Sequence, residues 1–121
     1  MQGHEFVVEA YGCDPVRLSD MASLHALFAQ LVQDLALHPV GDAQWHQFPA
    51  PGGITGLLML AESHLTVHTF PEHASLCLNL FCCTPRAAWP WVQQLRVHVG
   101  ATDVRVREFA RDYALQPMPT A

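Results

Sequence analysis

Lysine is absent from this sequence of 121 residues, and all six basic residues are arginine. A chain without lysine cannot form a Schiff base through its own lysine amine, which excludes that covalent chemistry, including pyridoxal phosphate bound through lysine. Charge is also scarce, because only 14% of the residues are charged and the formal net charge is -5. Nucleic acid and anionic membranes require a basic surface, so we expect neither as a partner.

Long apolar runs and a disulfide pattern are missing as well. No run reaches the length that spans a bilayer, and the first residues lack the features of a secretory signal, so we expect a cytoplasmic protein. The four cysteines include the neighbours Cys82 and Cys83, a pattern that does not predict disulfides. A hydrophobic fraction of 50% predicts a single domain over residues 1–121, and the low charge predicts apolar surface covered in a homo-oligomer.

The remaining pattern predicts alternating strands and helices. Helical spacing of apolar residues begins after Ser19 or Asp20, and a second helix is predicted to begin at Thr84 with Pro85 in its first turn. Alternating or β-branched runs predict strands at residues 4–11, 43–48, 54–60, 62–70, 75–83 and 102–109. This order predicts an α+β two-layer sandwich, an antiparallel sheet with two helices on one face. The uncovered face predicts a dimer in which two sheets pack together.

Residues 62–83 concentrate hydroxyl, imidazole, carboxylate and thiol groups. A metal site is not predicted, because His64 and His68 lie about 13 Å apart along a strand and no Cys-x-x-Cys is present. A serine hydrolase is not predicted either, because Ser63 lacks the Gly-x-Ser-x-Gly elbow. Each of these side chains taken alone is more often structural than functional, and the residues by themselves leave the chemistry open.

Their combination resembles the prokaryotic S-adenosylmethionine decarboxylase family. The resemblance rests on residues 53–56 (Gly-Ile-Thr-Gly), residues 60–72 (Leu-Ala-Glu-Ser-His-Leu-Thr-Val-His-Thr-Phe-Pro-Glu) and Cys83. It extends to residues 11–15 (Tyr-Gly-Cys-Asp-Pro) and spans nearly the whole chain. It implies a pyruvoyl-dependent decarboxylase that supplies decarboxylated S-adenosylmethionine for spermidine biosynthesis.

The resemblance also implies a proenzyme that cuts itself between Glu62 and Ser63, giving a β chain of residues 1–62 and an α chain of residues 63–121. The Ser63 hydroxyl would attack the Glu62 carbonyl, and residue 63 would become the pyruvoyl group that forms a Schiff base with the substrate. His68 matches the processing histidine of the family. Thr55 stands where a serine commonly assists.

Further positions match the family's substrate site. Cys83 matches the general acid that donates a proton after carbon dioxide leaves, and it also takes part in processing. Glu72 matches a carboxylate that binds the ribose, Phe48 is the nearest candidate for the ring that stacks on adenine, and Phe70 is a second apolar wall. The family places this site between subunits, which implies a homodimer that binds a small-molecule substrate and no metal.

Four features depart from the family's usual pattern, and they affect substrate recognition more than self-cleavage. Two alternatives therefore remain open: a pyruvoyl-dependent decarboxylase of ornithine or arginine on the same scaffold, and an unprocessed homologue that acts as a binding or regulatory subunit. The departures are Phe70 in place of tryptophan, Asn79 in place of aspartate, Cys82-Cys83-Thr84 in place of an ending in Cys-Gly, and one residue added between Phe48 and Gly53.

Overall fold

A computed structural model describes residues 2–115 and 117, which form a six-stranded antiparallel sheet with helices packed on one face. The predicted α+β two-layer sandwich is confirmed. The strands are β1 (Gln2–Tyr11), β2 (Gln44–Gln47), β3 (Ile54–Leu60), β4 (Ser63–Phe70), β5 (Ser75–Cys82) and β6 (Asp103–Asp112). The helices are α1 (Pro15–Leu18), α2 (Met21–Asp34) and α3 (Trp91–Val99), and a 3-10 turn (Pro71–His73) joins β4 to β5.

The order of strands across the sheet is β2-β3-β4-β5-β1-β6. The first strand of the chain therefore lies between β5 and β6, which both come from the second half of the sequence. The pairings of β3 with β4, β5 with β1 and β1 with β6 each join a strand before Glu62 to a strand that begins at or after Ser63. The two halves of the chain are thus interleaved in one sheet.

The core lies between the sheet and the helices because alternate strand residues are apolar. In β4 the buried residues are Leu65, Val67 and Thr69, and their neighbours in sequence face the opposite side of the sheet. The buried residues of α2 recur at intervals of three and four, which places them on one helical stripe against the sheet: Leu24, Leu27, Phe28 and Leu31. The other sheet face carries the polar positions of the central strands.

One helix is shorter than the sequence predicted, and one is additional. The predicted start at Thr84 is wrong, because α3 begins at Trp91. The Thr84 hydroxyl accepts a 2.6 Å hydrogen bond from Nη1 of Arg86 instead of capping a helix. Pro90 disfavours the helical conformation for Trp89, whose buried ring packs edge-on against Trp91. The additional helix is the four-residue α1.

Candidate functional site

The peptide bond between Glu62 and Ser63 lies at the tight turn between β3 and β4, where Leu60 pairs with Ser63 across a two-residue loop. The carbonyl oxygen of Glu62 accepts a hydrogen bond from the backbone N–H of Cys83, with a nitrogen-to-oxygen distance of 2.8 Å. Cys83 directly follows β5, which pairs with β4. The sheet register therefore brings the backbone of Cys83 to the predicted cleavage point.

The Glu62 side chain is held on several sides, and only 9% of it is exposed. Its Oε1 accepts a 2.7 Å hydrogen bond from the His38 backbone N–H, and its Oε2 lies 3.0 Å from Nδ1 of His38 and 3.7 Å from Nη2 of Arg86. Burial opposes ionisation of this carboxyl, but the hydrogen bonds from His38 and the charges of His38 and Arg86 outweigh burial and lower its pKa. Glu62 is therefore ionised at neutral pH.

Tyr113 holds Cys83 from the other side. Its hydroxyl donates a 2.6 Å hydrogen bond to the Cys83 carbonyl oxygen. A side chain at Gly3 would collide with this hydroxyl, since a Cβ atom built there lies 2.2 Å from it. No sequence motif predicted a role for Tyr113 or Gly3, although a glycine inside a strand often marks a close approach of another group.

A cavity of about 460 Å³ collects five of the predicted residues at the far end of β4. Thr55 and His68 are direct cross-strand partners, and the Thr55 hydroxyl oxygen lies 3.1 Å from Nδ1 of His68. The predicted substrate residues Phe48, Phe70 and Glu72 also line this cavity. Apolar walls with a few polar groups at one side are typical of small-molecule sites. We call this cavity the cleft.

The structure does not bring the cleft and the cleavage point together within one chain. Ser63 and His68 are five residues apart on β4, which separates them by about 16 Å along the strand. They also face opposite sides, because Ser63 alternates in phase with the buried Leu65 and His68 does not. Within one copy of the chain the predicted residues therefore form two separate groups: Glu62, Ser63 and Cys83 at one end of β4, and the residues of the cleft at the other.

Asn79, which stands where aspartate is usual, connects two side chains on the open sheet face. The Asn79 amide oxygen lies 2.9 Å from Nε2 of His64, and its amide nitrogen donates a 2.9 Å hydrogen bond to Glu5. Arg111 donates a 2.5 Å hydrogen bond to the other oxygen of Glu5. The bond from Asn79 is the largest influence on the Glu5 carboxyl, and together with Arg111 it lowers the pKa despite burial. An asparagine can bridge an imidazole and a carboxylate in this way, whereas an aspartate would place two carboxylates together.

Histidine, cysteine, aspartate and glutamate side chains occur throughout residues 2–115 and 117. In that part of the chain no group of three or more histidine, cysteine, aspartate or glutamate side chains is arranged to hold a metal ion. The described helices include none that is long and apolar enough to cross a membrane. The four cysteines, Cys13, Cys77, Cys82 and Cys83, are free thiols in the structure.

Comparison with solved structures defines the class of fold. The adenosylmethionine decarboxylase from Aquifex aeolicus superimposes with a TM-score of 0.77 over 98% of both chains, at 20% sequence identity. The protein therefore has the two-layer α+β fold of that enzyme. In sequence, residues 4–112 match the family described as S-adenosylmethionine decarboxylase. The chain belongs to the S-adenosylmethionine decarboxylase family.

Curated relatives support the same assignment. The S-adenosylmethionine decarboxylase proenzyme 2 of Halalkalibacterium halodurans is 33% identical over 84 residues, which are 69% of this chain and 65% of that protein. The S-adenosylmethionine decarboxylase proenzyme of Bacillus cytotoxicus is 36% identical over 87 residues, which are 69% of this chain and 63% of that protein. The chain thus spans slightly less than two thirds of the length of these relatives.

Proposed function

We propose that this protein is a pyruvoyl-dependent S-adenosylmethionine decarboxylase, a carboxy-lyase that supplies decarboxylated S-adenosylmethionine for spermidine biosynthesis. In this proposal residues 1–121 form one domain that cuts itself between Glu62 and Ser63. The observation that carries it is the hydrogen bond from the Cys83 N–H to the Glu62 carbonyl oxygen. A fixed donor at that oxygen stabilises the negative charge that develops when a hydroxyl attacks the carbonyl carbon.

The proposed maturation uses one water molecule and releases one ammonia. The Ser63 oxygen bonds to the Glu62 carbonyl carbon, the bond from that carbon to the Ser63 nitrogen breaks, and the hydroxyl proton passes to the nitrogen. Elimination then removes the Cα proton of residue 63 and breaks its Cβ–O bond, which leaves a carboxylate at the end of residues 1–62. Water replaces the nitrogen at residue 63, and a pyruvoyl group remains there. This group supplies the electron sink for decarboxylation.

The roles proposed for the other site residues come from the family resemblance, and their positions are compatible with them. Thr55 and His68 support processing through their mutual contact, which fixes the imidazole. Cys83 donates the proton that replaces the lost carboxyl group. In the cleft, Glu72 binds ribose hydroxyls, and the exposed ring of Phe48 stacks on adenine with Phe70 as the second apolar wall.

A homodimer completes the site in this proposal. Because Ser63 and His68 lie at opposite ends of β4, the cleavage point of one copy meets the cleft of a second copy. The open sheet face also exposes large apolar side chains on β3: Leu57 is 47% exposed and Met59 is 57% exposed. Packing the two sheets together would cover such residues. We further propose that the enzyme works in the cytoplasm, since four free thiols suit a reducing compartment.

Mass spectrometry of the purified protein tests the proposal. We expect two fragments, residues 1–62 and residues 63–121, with the second lacking a normal amino terminus. The variant Ser63→Ala should remain one chain and release no carbon dioxide from S-adenosylmethionine. The matched variant Ser23→Ala changes an exposed helix hydroxyl that bonds to Asp20 and should be cut normally.

The same preparations separate the alternatives. Carbon dioxide release from ornithine or arginine alone would support a decarboxylase of basic amino acids on this scaffold. A wild-type chain that stays whole and inactive would support the binding or regulatory subunit. An active, uncut Ser63→Ala variant would overturn the maturation chemistry itself.

A further inference from the structure

We propose that Arg86 and His38 are positioning residues for self-cleavage: they hold the Glu62 carboxylate so that the Glu62 carbonyl stays on the Cys83 N–H. This inference rests on the proposed function. Neither residue belongs to the motifs that carry the family resemblance. Both act through Glu62 and do not touch the reacting hydroxyl.

The His38 backbone brackets the turn that contains the cleavage point. Its N–H donates to the Glu62 carboxylate at 2.7 Å, and its carbonyl oxygen accepts from the Ala61 N–H at 2.8 Å. The following residues continue this pairing, since Pro39 bridges to Leu60 in the antiparallel sense and Val40 donates to the Met59 carbonyl. Both residues of the turn are therefore tied to a segment outside the hairpin.

The Arg86 guanidinium is held in place by contacts other than the one with Glu62. Its Nη1 donates to the Thr84 hydroxyl at 2.6 Å and to the Pro85 carbonyl at 3.3 Å, and its Nη2 lies 3.7 Å from Oε2 of Glu62. Only 16% of the side chain is exposed. A guanidinium held this way presents its charge in a fixed direction, which a flexible surface arginine does not.

The side chain of Glu62 and its carbonyl belong to one residue, so holding the first limits the motion of the second. Displacements of about 1 Å at a reacting group can cost about 100-fold in rate. The contacts of Thr84 and Arg86 thus help to account for the lack of a helix in residues 84–90. An α-helix that began at Thr84 would use the hydroxyl that now orients Arg86.

Arg86 also fits the product of the cut. Before cleavage Glu62 carries one negative charge, and afterwards its new terminal carboxylate adds a second. Nε of Arg86 is buried and has no hydrogen-bond acceptor within the part of the chain that the structure describes. A buried donor without a partner is unfavourable, and the new terminal carboxylate of Glu62, whose side chain lies 3.7 Å from Nη2 of Arg86, would relieve that cost. Arg86 should therefore stabilise the cut chain more than the uncut chain.

The test follows the time course of cleavage after cell-free synthesis, with fragments separated by gel and identified by mass. The variants are Arg86→Gln, Arg86→Lys, Glu62→Gln and the double variant Arg86→Gln with Glu62→Gln. The matched control is Arg17→Gln, which removes the same charge and a hydrogen bond to the Val97 carbonyl on the helical side of the protein. Thermal melting of each variant in the Ser63→Ala background reports folding separately from cleavage.

We expect Arg86→Gln to slow cleavage about tenfold or more and Arg86→Lys to recover part of the rate. The double variant should be no slower than Glu62→Gln alone, because the guanidinium acts through that carboxylate. Arg86→Gln should also lower the melting temperature of the cut protein more than that of the uncut Ser63→Ala chain.

If the wild type is cut and Arg86→Gln is cut at the same rate, this proposal is overturned and the proposed function stands. Independent, multiplying effects in the double variant would also overturn it, as would a slowdown explained fully by lost folding. A wild-type chain that never cuts would overturn the proposed function and this inference together.

Discussion

The Cys83 backbone N–H donates to the carbonyl oxygen of Glu62 over 2.8 Å, so the residue with the predicted catalytic thiol also binds the predicted cleavage point through its main chain. The two contributions can be separated by mutation, since a side-chain substitution leaves the amide in place.

The variant Cys83→Ala should still be cut, though more slowly than the wild type, and should release carbon dioxide about 10² to 10⁴ times more slowly. The amide donor to Glu62 survives, whereas the proton donor is lost. Fragment mass and carbon dioxide release measure the two effects on one sample. Cys77→Ala, at an exposed thiol of β5, is the control and should change neither. Undiminished turnover by Cys83→Ala would contradict the proton-donor role.

Subunit complementation tests whether the site is shared between copies. Ser63→Ala and His68→Ala should each be uncut and inactive when expressed alone. Coexpressed with two different tags, they should form mixed dimers in which one intact cleavage point meets one intact cleft. Random pairing predicts roughly a quarter of wild-type activity in the mixture. Inactive, uncut mixed dimers isolated through both tags would show that the site is not shared in this way.

Thr69 should be a large contributor to stability. Its hydroxyl is buried, accepts a 2.8 Å hydrogen bond from the Ile54 N–H and donates a 2.7 Å hydrogen bond to the Leu18 carbonyl. Thr69→Val keeps the shape but leaves both backbone groups without that partner, so the free energy of unfolding should fall by about 2 to 4 kcal/mol. Urea unfolding in the Ser63→Ala background measures this difference. Thr66→Val, partly exposed on the opposite face, should stay within about 0.5 kcal/mol of its parent.

Asn79→Asp should make stability depend more steeply on pH. The pKa of Glu5 is lowered in the folded protein, so its contribution to stability is present above the ordinary value of 4.5 and is lost as pH falls through the folded value. Aspartate at position 79 removes the donor to Glu5 and adds a like charge. The variant should therefore unfold at lower urea than its parent at pH 7, and the difference should shrink below about pH 4.5 as both carboxyls take up protons.

Urea midpoints of the two proteins at several pH values and one protein concentration check this expectation. Asn79→Ala is the matched control, because it loses the same hydrogen bonds without adding a charge. A difference between Asn79→Asp and its parent that is equal at pH 7 and pH 4 would contradict the like-charge explanation.

The sequence predicted the sheet well because alternation is a local signal. The period of two in β4 identified the buried face of Leu65 and Val67, and it placed Thr55 and His68 on strands that turned out to pair directly. The same alternation already separates Ser63 from His68, since odd and even positions of a strand face opposite ways. The family resemblance assigned both residues to one site. It does not show that they lie at opposite ends of β4 and face opposite sides of the sheet.

Contacts between distant segments could not be predicted from these patterns. His38 and Glu62 are 24 residues apart, and Tyr113 and Cys83 are 30 residues apart, so no local spacing relates them. The helix predicted at Thr84 failed for two reasons: Pro90 locally disfavours a helix before Trp91, and a contact with a distant residue holds the first residues of the predicted helix. The Thr84 hydroxyl forms its hydrogen bond with Arg86, whose charge lies beside Glu62 on another strand turn, and this tertiary contact replaces the local cap.

The interleaved strand order determines whether the two fragments of a cut chain would stay together and how they would refold. Strand β1, from the first fragment, pairs with β5 and β6 of the second, so the two fragments cannot separate without breaking the ladders on both sides of β1. If the chain is cut as proposed, the folded protein should therefore survive the loss of that covalent bond. Once unfolded, however, its fragments must meet again in solution, and refolding becomes a second-order reaction that slows on dilution. Maturation would thus turn a chain that can refold alone into an assembly whose persistence depends on its rate of unfolding.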